Sequence, residues 1–401
     1  MKAGAVRAWC GEFWMAVREE ARRVFCGNFP TWLLLIAVPI GYTLIFGYAY
    51  LPGSVNHVPI VIQDADQSSM SRALINMYED AEKFDIVAQP SEEEDLTAAM
   101  EKSEAMAGLA IPKNFARDIK RGDVPHVELF IHSVNNVYGN VITTGAWEIN
   151  RTYQVAVASK LLEAIGMMPS EAMDATYPIR MGTRIIGNPT VAFGPFVLPI
   201  LAANGTQIAL ILTVAPLVVL MLERGTWRQR RFSSALVFGS GCVHGVVAFA
   251  AFLVSLGIAC AVYDIPMYGA WWQIALIGAG FVFFVIGALS FFGSISPMPV
   301  VALQLPIFYI MPGILYSGMA WPDYMMTEGA AFYAALVPIT DLAVPLRDLM
   351  LTGYAPMFWQ DFGILVLGGV ITRMLAVTFF HLRQRWTLRA ERKTACGEVT
   401  A

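Results

Sequence analysis

The sequence predicts an α-helical polytopic membrane protein with six transmembrane helices and an α/β extracytoplasmic domain inserted between spans one and two. One apolar segment near the start, residues 29–51, matches the ~20 residues that cross a bilayer core at ~1.5 Å rise per residue. A dense block of similar segments fills residues 192–382. Between them lies a water-compatible stretch of a domain's size, residues 52–191. Composition agrees: 56% of the 401 residues are hydrophobic and 14% charged. Soluble domains carry about 25% charged residues, and the deficit here is confined to the apolar runs. A chain built this way works across a membrane, by movement or by signalling.

The segment before the first span comes first in order. Val6, Trp9, Phe13, Val17, Ala21 and Val24 recur at three- and four-residue steps, with Arg7, Glu19, Arg22 and Arg23 mainly elsewhere. That spacing predicts an amphipathic interfacial helix within residues 1–28, with Trp9 and Trp14 at headgroup depth. The run at 29–51 is too long, and too far from the start, for a cleaved signal peptide, so it is read as a retained span.

The domain at 52–191 alternates strands and helices. Val58–Ile62, Phe84–Ala88, Ala107–Ile111 and Val127–His132 read as strands. Helices are predicted over Ser68–Ala81, Ser91–Lys102 (Ser91 as N-cap, Glu94 completing a capping box), Asn114–Arg121 and Asn136–Ile165. Strands alternating with helices argue a small α/β sandwich.

The remaining spans are placed at 192–222, 232–262, 270–292, 299–320 and 361–382, with a tail at 383–401. Basic residues set the orientation. Lys2, Arg7, Arg18, Arg22 and Arg23 precede the first span, Arg224, Arg228, Arg230 and Arg231 follow the second, and Arg383, Arg385, Arg389, Arg392 and Lys393 follow the last. The positive-inside rule makes all three cytoplasmic, so both termini lie inside. The link 293–299 carries no basic residue and is inside by parity alone. The apolar segment 330–351 is interrupted by Asp341, Pro345, Arg347 and Asp348 and is read as re-entrant in the outer leaflet.

A search for catalytic patterns is empty. The sequence has no Walker A loop, no His-Glu-x-x-His and no Gly-x-Ser-x-Gly, so no catalytic, cofactor-binding or metal residues are assigned. The five cysteines show no Cys-x-x-Cys spacing, and none falls between Pro52 and Thr190. His126 and His132 bracket a strand without a further ligand nearby. No basic stripe with interleaved aromatics appears in the polar domain, which argues against nucleic acid as a partner.

The link Glu223-Arg224-Gly225-Thr226-Trp227-Arg228 is short enough to be only a turn and a positive-inside anchor. It also resembles the stretch ending in Gly-Thr that follows the second span in the type 2 ABC transporter permease family. The family's usual acidic residue two positions after the Thr is Arg228 here. Asn188-Pro189, Gln207, Ser317-Gly318, Trp321-Pro322, Pro338 and Thr340 resemble further family landmarks, in the right order. Asp64-Ala65-Asp66-Gln67-Ser68 with Ser71-Arg72 resembles members with a large domain after the first span, multidrug-type exporters that work beside a periplasmic adaptor.

The resemblance implies a permease subunit of a bacterial inner-membrane exporter. It would pair with a second protomer and with a separate ABC ATPase, which uses the ATP, and this chain would bind no cofactor. The link at 223–231, with Glu223–Arg228 as its coupling residues, and the helix at 6–25 would then receive the ATPase stroke. An outer gate is expected at Ser317, Gly318, Trp321 and Pro322, where Gly318 would allow close approach and the 330–351 segments of two protomers would cover each other. Polar residues inside spans, Asn204, Thr206, Gln207 and Gln304, are candidates for the pathway or for interhelical hydrogen bonds. Membrane lipids and amphiphilic, drug-like or lipid-like substrates fit the apolar, Met-rich spans. A secondary transporter is disfavoured, because Asp361 is the one acidic residue within an assigned span. A non-transporting scaffold or sensor, whose outer domain binds a partner, is the alternative.

Overall fold

The computed structural model describes residues 2–27, 29–51, 53, 55–134, 136–179 and 182–398. Met1, Asn28, Pro52 and residues 399–401, all at predicted boundaries, lie outside the described residues, as do the side chains of Lys2, Arg392, Lys393 and Cys396. The chain divides into two compact units, Met1–Gly53 with Ile185–Ala401, and Ser54–Arg184.

The first unit opens with α1 (Lys2–Arg22), a π-helical turn (Arg23–Gly27) and α2 (Phe29–Ala49). Ala16, Glu20 and Val24 mark the buried stripe of this stretch. Pro39 interrupts the α2 ladder, and the Thr43 hydroxyl donates to the Pro39 carbonyl at 3.0 Å.

The second unit is an α/β sandwich. Its elements are β1 (Val58–Asp64), α3 (Ser69–Glu79), β2 (Phe84–Ala88), α4 (Glu93–Glu101), β3 (Ala107–Ile111), α5 (Phe115–Arg121), β4 (Glu128–Ile131), α6 (Asn136–Ala164) and α7 (Pro169–Thr176). The strand order is β2-β1-β3-β4, with β1 parallel to both neighbours and β4 antiparallel to β3. Central β1 is covered on both faces, which is why it reads as an unbroken apolar run. Ile60, Ile62, Leu74, Tyr78, Phe84, Leu109 and Ile142 share one core. On the other face Leu96 and Met100 of α4 pack on Val61.

Two local expectations change. The helix expected from Ser91 starts at Glu93, and its N-cap, Glu92, makes no side-chain cap bond. The Ser91 carbonyl instead accepts from Gln63 Nε2 at 3.3 Å, and Glu93, Glu94 and Asp95 in the first turn favour the helix dipole. The reciprocal capping box is at Ser68 and Ser71 on α3. Helix α7, opened by Pro169, was not expected; proline at the first helical position was its signal.

The helical unit continues with α8 (Phe193–Glu223), α9 (Ser233–Val262), α10 (Trp271–Ile295), α11 (Pro299–Ile310), α12 (Glu328–Ala334), α13 (Pro338–Thr352) and α14 (Phe358–Glu398). Six helices in the described residues are long and apolar enough to cross a membrane, and a seventh crossing arises only if the bent pair α12–α13 counts as one span. The fifth span is broken: α11 gives way to a 3-10 turn (Met311–Ile314) and a π turn (Leu315–Met319). Pro312-Gly313 starts the break, and Gly318 holds a left-handed φ of 73° inside it.

The α12–α13 pair bends by 82° at Val337-Pro338. Ile339, Leu342, Ala343, Leu346, Leu349 and Met350 of α13 are fully buried, in one core with residues of α8 and α10. Its own chain therefore covers the α13 part of 330–351, while Phe332 and Leu336 at the α12 part stay exposed. The last helix runs past 382 without a break, because no Gly or Pro intervenes before Gly397. Helices α10 and α14 pack closely: a Cβ on Gly369 would lie 2.3 Å from Phe283.

Candidate functional site

The link between α8 and α9 is built by satisfying the end of one helix and the start of the next. Arg224 caps α8, and Gly225 turns the chain with a φ of 64°. A 3-10 turn follows over Thr226–Gln229. The Thr226 hydroxyl donates to the Met221 carbonyl at 3.2 Å, and Trp227 Nε1 points to the Leu222 carbonyl at 3.4 Å. Trp227 is buried with Ala16, Met221, Leu222, Leu236 and Phe380. Its ring carries the Arg228 guanidinium 5.3 Å from the centroid. Glu223, Arg224, Thr226 and Arg228 remain exposed around it.

Two further segments, α1 and α14, meet this link and the start of α9. From α1, Glu12 accepts from the backbone N–H of Arg231 at 3.1 Å and of Phe232 at 2.8 Å, placing a carboxylate at the N-terminus of α9. Glu19 pairs with Arg230, and Trp9 Nε1 donates to Ser234 Oγ at 3.0 Å. From α14, Glu391 pairs with Arg228, and Gln384 Nε2 donates to Ser233 Oγ at 2.9 Å. Arg383 donates to the carbonyls of Ser296 and Pro297, the latter at 3.0 Å. The link 293–299, which has no cation of its own, is thus tied to the same end of the unit by a cation from α14.

The link at 223–231 and the helix at 6–25 were expected at this site; the individual acids of α1 and the base of α14 were not. Glu12 and Glu19 lie two turns apart on one face of α1, a seven-residue spacing that could have flagged them. Nothing in sequence ties Arg383 or Gln384 to links so far away.

At the opposite end of α8, about 46 Å away by helical rise, the Phe193 N–H donates to the Gly53 carbonyl at 3.0 Å, and its ring contacts Tyr50. The chain leaves and re-enters the helical unit there.

The polar residues of the spans separate. Asn204 Nδ2 donates to the Tyr42 hydroxyl at 3.0 Å, and Gln207 Nε2 to Asn204 Oδ1 at 2.8 Å, joining α8 to α2. Thr206 bonds back to the Ala202 carbonyl at 3.0 Å. All three are buried, whereas Gln304 is exposed on α11.

At the broken span, Ser317 is buried and donates to the Ile314 carbonyl at 2.7 Å, while Trp321 and Pro322 are exposed. Gly318 serves the backbone turn. Within the chain, a close approach is made at Gly313, where a Cβ would meet Val337 at 2.3 Å.

The α/β unit has its own cavity of about 960 Å³ between α5, β4 and α6. Leu109, Phe115 and Tyr153 form its floor, and exposed Val124 and Trp147 line its rim. Burial pushes the Tyr153 hydroxyl to about 12, so it stays protonated and donates to the Met70 carbonyl at 2.9 Å.

Six apolar helices with a short cationic link at one end define a multi-pass membrane protein. A family model described as ABC-2 family transporter protein matches residues 29–378, and the chain belongs to that family. The family consists of the membrane subunits of ABC transporters, which generally work with a partner ATPase. A search of curated proteins finds no significant match.

Proposed function

We propose that this chain is the permease subunit of an ATP-driven exporter that moves a drug-like, lipid-like or other amphiphilic substrate out of the cytoplasm or inner leaflet. The observation that carries the proposal is the convergence of α1, the Glu223–Arg231 link and the base of α14, with Glu223, Arg224, Thr226 and Arg228 exposed beside a buried Trp227. A separate ATPase subunit would dock on those exposed side chains. Because Glu12, Arg230 and Arg228 tie the link to two other helices, a push there would move them together.

In this reading the basic end faces the cytoplasm of a bacterial inner membrane. The α/β unit lies outside, where an adaptor protein would meet it. Two protomers would flank the pathway, with Gln304 facing it and Asn204, Thr206 and Gln207 holding its wall. The kinked stretch from Ser317 to Pro322 would form the outer gate. The chain itself would bind no cofactor.

The cavity of the α/β unit favours a second reading, a sensor whose outer domain binds a partner or ligand. Copurification with an ABC ATPase, followed by substrate-stimulated hydrolysis in vesicles, separates the two. Replacing Glu223 and Gly225 should leave the assembly intact while uncoupling hydrolysis from export; normal export at wild-type abundance would reduce the link to an anchor.

A further inference from the structure

Where α1 ends, three buried polar atoms without hydrogen-bond partners converge: Glu20 Oε1, Arg23 Nε and His244 Nε2 of α9. Glu20 is 5% exposed and His244 wholly buried. The imidazole Nδ1 lies 3.0 Å from the Ser240 carbonyl oxygen, one turn back in α9. A carbonyl only accepts, so Nδ1 carries a hydrogen, and in a neutral ring Nε2 is then a bare acceptor. It faces Glu20 Oε1 at 3.6 Å, and an ionised carboxylate also only accepts.

Two acceptors facing each other away from solvent repel, and each lacks the bond its burial requires. Arg23 Nη2 stands 3.1 Å from the same oxygen and offsets its charge without completing a hydrogen bond. One added proton removes the conflict: carried on either atom, it is donated to the other, and the pair can close to about 2.8 Å.

We infer that Glu20 and His244 form a proton-binding site, one proton shared between Oε1 and Nε2, whose occupancy fastens α1 to α9. The inference goes beyond the transport reading and does not rest on it. Burial pushes the Glu20 carboxyl above its ordinary value, opposed by Arg23. The sign follows: the fastening is complete below the ordinary carboxylate value and is lost as pH rises through the raised one.

Arg23 faces the pair from the turn after α1. Glu12 faces the start of α9 farther along the same helix contact, and Glu19, next to Glu20 in α1, pairs with Arg230. From α14, Arg373 lies over Phe238 of α9. From α10, Ile286 packs at Gly241 and Gly245, on either side of His244. Midway along the contact, Gly239 admits α1 so closely that a Cβ there would sit 2.8 Å from Ala16.

The test is a distance measured between spin labels on exposed Arg18 of α1 and exposed Val246 of α9, with native cysteines replaced, in lipid nanodiscs from about pH 5 to about pH 9. The wild type should hold one short distance at low pH and gain at least about tenfold in undocked population as pH rises. Glu20→Gln and His244→Gln each place a non-titrating amide N–H against the remaining acceptor and should stay docked throughout. Two variants keep the test open if one fails to fold. A wild-type distance that does not change with pH, the result expected if a water bridges the acceptors, overturns the inference. So does either amide variant opening at the wild-type midpoint.

Discussion

Replacing Glu12 isolates how α1 holds the link. Its carboxylate receives two backbone N–H groups at the N-terminus of α9, from Arg231 at 3.1 Å and Phe232 at 2.8 Å. Charge-assisted bonds contribute about 1.5–3 kcal/mol each when buried, and a carboxylate near a helix N-terminus a further ~0.3–1 kcal/mol. Glu12 is only half-buried and Arg231 is exposed, so water recovers much of the loss in Glu12→Ala. The measured range for losing a helix cap, ~0.5–2 kcal/mol, sets the scale. We expect about 2 kcal/mol, which is roughly a 30-fold faster local opening at ~1.4 kcal/mol per tenfold. Glu12→Gln keeps an acceptor without its charge and should cost about half as much. Glu19→Ala removes an exposed pair with Arg230 and should cost at most ~1 kcal/mol. Native-state amide exchange of residues 2–22 and 231–236 reads all three. The reasoning fails if Glu12→Ala changes exchange by less than about threefold, or if Gln is as damaging as Ala.

Four other outcomes follow from the same geometry. Gly369→Leu pushes side-chain atoms into Phe283, where even a Cβ would lie 2.3 Å away, and should cost about 1–3 kcal/mol by overpacking, read as a lower thermal midpoint. In the α/β unit, His57 Nδ1 lies 3.0 Å from Asp85 Oδ1, and that hydrogen bond with the Asp85 charge raises the His57 value. Its stabilisation is complete below the ordinary histidine value and is lost as pH rises through the raised one, and Asp85→Asn should remove that step from the pH dependence of unfolding. Cysteines placed along Met319–Trp321 should crosslink between protomers at rest and block export until reduced; no crosslink in a demonstrated dimer would move the gate elsewhere. An impermeant thiol reagent applied to intact cells should label a cysteine at exposed Ser91 and spare one at exposed Gln229, and labelling at Gln229 would reverse the orientation.

The sequence by itself determined what depends on composition and period. Twenty or more apolar residues in a helix need a non-aqueous surround, so the spans were legible from length alone. The strands and helices of residues 58–164 were legible from alternation, to within a residue or two at most ends. Gly225 and Gly318 were visible as residues, and the structure shows both in left-handed turns that other residues resist. Only the tertiary structure decided the partners. Ser91 does not cap α4, which starts two residues later behind Glu92 without a side-chain cap bond, because capping depends on which backbone groups are left free. Helix α13 is covered by α8 and α10 of its own chain, a packing outcome that hydropathy does not encode. Glu12 with Phe232, Arg383 with Pro297 and Glu20 with His244 join residues 220, 86 and 224 positions apart. Such pairs follow from how helices cross, which brings charge and acceptor together in space with no periodic trace along the chain.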